Sequence, residues 1–232
     1  AQARVGQGER WAHIYPASGT ISREVTLASV DDVDEAVAAA SAAQDQWRTM
    51  AGDKRRNLLL RLAAIIEKNA AEMSPLLAAE NGALLMAGPY LNADAAQKFR
   101  YYAGWADKIE GRTVATSGGP AHDYVTYEPY GTIGIIVPWN GPLYAATMVM
   151  APALAAGNCV VLKAPEIAPW SLMKLMEMVR EAGFPPGVVN MVTGGADIGA
   201  AMVDHPGIDK IEFIGSAATA RKIMASAAQS LK

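Results

Sequence analysis

Thr132-Ile133-Gly134-Ile135-Ile136-Val137 is a short apolar run, and Pro138-Trp139-Asn140-Gly141-Pro142 ends it at once. The pattern recurs three times. Cys159–Leu162 runs into Lys163-Ala164-Pro165-Glu166, Val188–Val192 into Thr193-Gly194-Gly195, and Lys210–Ile214 into Gly215-Ser216. The stretches between carry helix punctuation. Pro142 suits a first helical turn and Gly157 a C-terminal stop. Pro169 to Gly183 and Ala196 to Asp204 read as two more helices, and Ser216 can cap a fourth that carries Ile223 and Met224. Short, fully apolar strands alternating with helices predict a parallel sheet covered on both faces. Ligands of such sheets sit outside the carboxyl ends of the strands. The polar turns are therefore where function is expected.

Working back from Gly131, residues 111–130 break the helical pattern. Ser117-Gly118-Gly119-Pro120 is a turn cluster between Arg112-Thr113-Val114 and Tyr124-Val125-Thr126-Tyr127, which read as hairpin strands. A lone hairpin is marginal and needs something to pack on. The first hundred residues read as helices. Ser29 with Asp32 three residues on is a capping-box start, followed by Val33, Val37, Ala40 and Trp47 at helical spacing. Asp53 is a candidate cap for a helix with Leu58, Leu62, Ile65 and Ile66 on one stripe. Asn92 is a candidate opening for another, with Ala95, Ala96, Phe99, Ala103 and Ala106 inward. The expected organisation is a helical part over 1–110, a β-hairpin over 111–130 and an α/β part over 131–232.

Composition removes several function classes. A net charge of −3 supplies no basic field for nucleic acid or an anionic membrane. No apolar run approaches the ~20 residues of a membrane span. A single Cys excludes an internal disulfide framework and fits a reducing, cytoplasmic setting. The start, Ala1-Gln2-Ala3-Arg4, has no apolar signal-peptide core and no initiator Met. His13, His122 and His205 are isolated, lack metal-ligand spacing and read as surface or turn residues, so no metal site is expected.

The four turns, in this order, resemble those of the aldehyde dehydrogenase superfamily, and Tyr15-Pro16-Ala17-Ser18-Gly19 resembles the opening turn of that family. The similarity covers nearly the whole chain and is most specific between Gly131 and Ser216. It implies a Rossmann-like sheet of aldehyde dehydrogenase type with N-terminal helices, and a hairpin that bridges subunits of a homodimer or homotetramer. It also implies NAD, or NADP, as cofactor and a small aldehyde as substrate. The family reaction is thiolate attack on the aldehyde, hydride transfer to nicotinamide and hydrolysis of the thioester.

The resemblance gives individual residues their roles. Asn140, in Pro-Trp-Asn-x-Pro, matches the amide that donates to the oxyanion formed on thiolate attack; taken by itself it reads as a turn residue. Lys163 and Glu166 match the adenosine-ribose clamp, where a carboxylate accepts from ribose hydroxyls and repels a 2′-phosphate, favouring NAD. The structural alternative is a solvated surface pair. The family usually has Pro directly after the Lys; here Ala164 intervenes before Pro165. Phe213-Ile214-Gly215-Ser216 resembles the phosphate turn Phe-Thr-Gly-Ser, with Ile214 in place of Thr. A helix N-terminus there offers free N–H groups to phosphate, although Ser216 alone reads as a plain cap. Gly194, Gly195 and Gly199 form no Gly-x-Gly-x-x-Gly fingerprint; in the family this segment flanks adenine, and tight helix–strand packing is the alternative. Ile136, Pro138, Trp139 and Thr219 complete the implied cofactor surroundings. Tyr144 and Met148, one turn apart after Asn140, are candidates for the mouth of a substrate tunnel or for core packing.

Cys159 does not match the family nucleophile and reads as a small buried hydrophobe in a strand. Trp47, Trp105 and Trp170, and Met173, Met176 and Met178, read as packing residues. The expectation is that the nucleophilic Cys and the general-base Glu lie beyond Lys232, that this chain alone is inactive, and that the edge at Lys210–Ile214 is left apolar. Two rival readings stay open: a non-catalytic dinucleotide-binding or assembly module, and a member that passes the acyl group to coenzyme A.

Overall fold

A computed structural model describes residues 6–232; the expectation for residues 1–4 lies outside them. In chain order the elements are β1 (Arg10–Ile14), β2 (Ile21–Thr26), α1 (Val30–Thr49), α2 (Gly52–Lys68), α3 (Ala70–Asn81), α4 (Gly88–Ala103), β3 (Arg112–Val114) and β4 (Asp123–Val125). There follow β5 (Thr132–Ile136), α5 (Pro142–Ala155), β6 (Cys159–Pro165), α6 (Trp170–Glu181), β7 (Val189–Gly194), α7 (Ala196–Asp204), β8 (Lys210–Phe213) and α8 (Ala217–Ala227).

β5 to β8 form one parallel sheet in the order β7-β6-β5-β8. Every residue of β5 and β6 is buried, because helices cover both faces. The chain winds from β5 through β6 to β7 with α5 and α6 on one face, where α2 and α4 pack on them. It then returns through α7, on the face shared with α1, to place β8 on the far side of β5. Right-handed crossovers require that change of face when the direction of winding reverses. The reversal makes the gap between β5 and β8 a topological switch point, the place where open sheets bind ligands. Gly134 is closely packed there: a Cβ on it would come 2.9 Å from Ile211 Cδ1 on β8, which would have to shift.

The core follows the predicted stripes. Val33, Val37, Ala40, Trp47, Leu62, Ile66, Ala95, Ala96, Phe99, Ala103 and Ala106 are buried. The capping box is formed: Ser29 N donates to Asp32 Oδ2 at 2.8 Å and Asp32 N donates to Ser29 Oγ at 3.2 Å. Gly157 ends α5 with φ +93°.

Five expectations need correction. The first hundred residues are not all helical. β1 and β2 form an antiparallel hairpin whose turn is Tyr15–Thr20, closed by Tyr15 N to Thr20 O at 2.8 Å. Most of its side chains are exposed, so it carries little apolar alternation. Asp53 is not the cap of α2. The cap is Ala51, and Asp53 lies in the first turn, where a carboxylate still meets the positive helix end. Asn92 does not open α4; the helix starts at Gly88 with Pro89 in its first turn, and the buried Asn92 amide donates to Ile66 O at 2.6 Å. His13 is not a surface residue but is 3% exposed. Trp105 and Met173 are not packing residues, being 52% and 40% exposed.

Among the described residues β8 pairs with β5 alone, and no helix is long and apolar enough to cross a membrane.

Candidate functional site

The strand register brings the four turns to one edge. Ile136 lies opposite Lys163 on one side and Phe213 on the other, and Pro165 lies opposite Gly194. The segments that leave these strands therefore emerge side by side: Val137–Gly141, Glu166–Pro169, Gly195 and Ile214–Ser216.

Lys163 is buried in the last turns of β6, its side chain 9% exposed, with Nζ 3.8 Å from Glu166 Oε2. It is not part of a solvated surface pair. Burial lowers its pKa, and the charges of Glu166 and Asp197 oppose that shift. Asp197, in the first turn of α7, drew no attention in the sequence because an acidic residue there reads as an ordinary dipole partner. An ammonium this far out of water, with one carboxylate at the edge of contact, has donor capacity left for a ligand.

The glycines divide into two kinds. A Cβ on Gly194 would come 2.4 Å from Ile198 Cγ1 and 2.8 Å from its Cβ, so packing within the chain demands glycine there; one on Gly215 would come 2.4 Å from the tip of the Phe213 ring, which would have to move. Gly199 is different. A Cβ there would meet only Ile136 Cδ1 at an ordinary 3.9 Å. The missing side chain leaves room over Ile136 that the chain itself does not need.

Ser216 caps α8. Its hydroxyl accepts from Thr219 N at 3.2 Å and lies 3.1 Å from Thr219 Oγ1. Both residues are exposed, so the amides of the first turn of α8 open to solvent. Pro138 is half-buried, and Trp139 and Asn140 are exposed. Tyr144 and Met148 are 45% and 38% exposed on the same helix, outside the core of this chain. The Lys98 ammonium lies 3.5 Å from the Tyr144 ring centroid and pairs with Asp94. Cys159 is fully buried, and burial pushes its thiol up to about 12, far from a nucleophile at neutral pH.

Asn81 is a further residue of this edge with no distinctive sequence signal. Asn81, the last residue of α3, donates through Nδ2 to Trp139 O at 3.4 Å and Asn140 O at 3.3 Å. The signal available was Asn81-Gly82, a turn dipeptide, which points to a loop and not to a partner 58 residues away.

An open α/β sheet wound in two directions, with polar turns gathered at its switch point, defines the class. Residues 4–232 match the model of the aldehyde dehydrogenase family. The chain is 42% identical over 226 residues to an aldehyde dehydrogenase of Alternaria alternata, covering 96% of this chain and 45% of that protein. An aldehyde dehydrogenase of Bacillus cereus, solved as its NAD+ complex, superposes with a TM-score of 0.93 at 38% identity, covering 97% of this chain and 46% of that one. An Escherichia coli structure described as an NADP-dependent enzyme gives 0.97 at 29% identity, covering 100% and 48%. The chain spans less than half the length of the relatives it matches. It belongs to the aldehyde dehydrogenase family.

Proposed function

We propose that this chain is the cofactor-holding portion of an NAD(P)-dependent aldehyde dehydrogenase that uses NAD, with residues 113–127 contributing to subunit contacts. One observation carries the reading: the buried Lys163 ammonium and Glu166 stand side by side at the switch-point edge, 3.8 Å apart. The residues fit the cofactor. Glu166, paired with Lys163, still has carboxylate lone pairs to accept from ribose hydroxyls and a charge to repel a 2′-phosphate. Lys163 supplies a donor beside it. Gly199 leaves room over Ile136, and Phe213, Gly195, Pro138 and Trp139 border the same edge. Gly215, Ser216 and Thr219 present the α8 N-terminus to phosphate. A nicotinamide cofactor held by these residues would supply a hydride acceptor.

Asn140 has the chemistry of an oxyanion donor. Its carboxamide N–H is neutral and directional, and such a donor contributes about 3 kcal/mol to a transition state in a dry site. The nucleophile and the deacylating base are assigned to residues outside this sequence, since its one Cys is buried in β6. A single Cys, with no partner for an internal disulfide, suits a reducing, cytoplasmic compartment. The supporting experiment is a calorimetric titration of the protein with NAD and with NADP. Binding of NAD in the micromolar range with weaker NADP is expected. No binding of either, or NADP tighter by tenfold, overturns the reading.

A further inference from the structure

The turn that carries Asn140 is poorly supported by its own residues. Gly141, the cap of α5, brings no side-chain hydrogen bond to the helix start. Trp139 and Asn140 are exposed. Among the described residues, the only side chain that hydrogen-bonds the backbone of 138–141 is Asn81. Its Nδ2 bridges the carbonyls of Trp139 and Asn140.

Asn81 and the residue before it, Glu80, are held at three points. Its Oδ1 accepts from Ala83 N at 3.0 Å, closing a turn at the end of α3, and Gly82 follows at φ +76°. The preceding carbonyl, Glu80 O, pairs with His13 Nε2 at 2.9 Å, and His13 Nδ1 pairs with Ser22 Oγ at 2.8 Å. The Glu80 carboxylate reaches across to the start of α6, where Oε2 accepts from Ser171 N at 2.9 Å. The peptide 80–81 thus ties the first hairpin, α6 and the Asn140 turn to one point.

We infer that Asn81 is a positioning residue for Asn140, holding its turn by the two carbonyls so that the Asn140 amide keeps one direction. This rests on the proposed role of Asn140 as an oxyanion donor. A carboxamide suits the task because one end donates to the turn while the other closes its own helix. A misplacement of ~1 Å at such a group can cost ~10²-fold in rate.

The test is kinetic, in an enzyme carrying this chain together with the remainder that family members possess. Asn81→Asp keeps the acceptor for Ala83 N and removes the donor to the turn. Asn81→Ala removes both. For Asn81→Asp we expect kcat to fall tenfold or more, with KM for NAD within twofold of the parent. Asn81→Ala should show the same fall in kcat. If Asn81 acts through Asn140, adding either change to Asn140→Ala should lower kcat no further.

Four results overturn the inference. Asn81 variants with parental kcat do so, and so does a loss of cofactor affinity and melting temperature that tracks the loss of kcat. The third is a double variant whose losses multiply. The fourth is an Asn140→Ala enzyme with parental kcat, which brings down the underlying reading of Asn140 as well. An Asn140→Ala enzyme that is impaired while the Asn81 variants are not isolates the failure to Asn81.

Discussion

Lys163 and Glu166 face each other across a single turn, Nζ to Oε2 3.8 Å, with the lysine side chain far more buried than the glutamate. The ammonium is stabilised by carboxylates and destabilised by burial, so removing the nearer charge changes both the clamp and its lysine. Glu166→Gln keeps the shape and loses the charge. Its NAD affinity should fall about tenfold, roughly 1.4 kcal/mol, while NADP affinity holds or rises. Competitive titration of the two cofactors checks this. An unchanged NAD/NADP ratio would mean that Glu166 does not select at the ribose.

Cys159 is the only thiol in the sequence, and it lies in a strand whose seven residues are all buried. With the thiol pushed up to about 12, the folded protein should resist iodoacetamide at pH 8 and react fully in denaturant. The 232-residue chain on its own should produce no aldehyde-dependent NADH. Cys159→Ala in a complete enzyme should lower stability by about 1–2 kcal/mol and leave turnover unchanged. Turnover abolished by that substitution would make Cys159 the nucleophile.

The parallel sheet was legible because strands covered on both faces must be apolar throughout, as Thr132–Val137 and Cys159–Leu162 are. The polar turns at their ends follow from that pattern, and Lys163, Glu166 and Ser216 fall on one edge because the strands run parallel. The first hairpin was not legible. His13 and Val25 are its only buried strand residues, too few to mark a period of two. Glu80 was hidden in the same way, since a glutamate in an Ala-rich helix reads as solvated. Asn81 was hidden because its partners belong to a loop distant in sequence, and pairing across such a distance leaves no local trace.

The hairpin β3–β4 exposes Tyr124 at 64%, and Tyr127 beyond it at 69%. A surface hairpin of this size holds its shape only when it packs on or extends something else. Tyr127 and Tyr130 also border a cleft of about 410 Å³ with Ile109, Val149 and Pro152, so apolar surface continues from the hairpin onto the body. Deleting residues 113–127 from a complete enzyme should convert an oligomer to monomer in sedimentation velocity. An unchanged sedimentation coefficient, corrected for mass, would rule the hairpin out as a subunit contact.

Glu80 gives a prediction about stability and pH. Its side chain is buried, one carboxylate oxygen takes Ser171 N, and the other, Oε1, has no hydrogen-bond partner among the described residues. Burial pushes its pKa up to about 7, against hydrogen bonds from the start of α6 that favour the charged form. The neighbours on the surrounding elements are His13, Tyr15 and Arg23 from the first hairpin and Trp170 from α6. Between pH ~4.5 and ~7 the folded protein therefore binds a proton that the unfolded chain has released. The stability contributed by the neutral carboxyl is complete below about 4.5 and is lost as pH rises to about 7, a change of roughly 3 kcal/mol. Glu80→Gln cannot ionise, so the difference in unfolding free energy between variant and parent should move in favour of the variant from about pH 5 to about pH 8. Urea denaturation at the two pH values measures it, with the parent–variant difference cancelling every other titrating group. A difference that stays constant across that range would show that Glu80 is already ionised in the fold, and that Oε1 has found a partner.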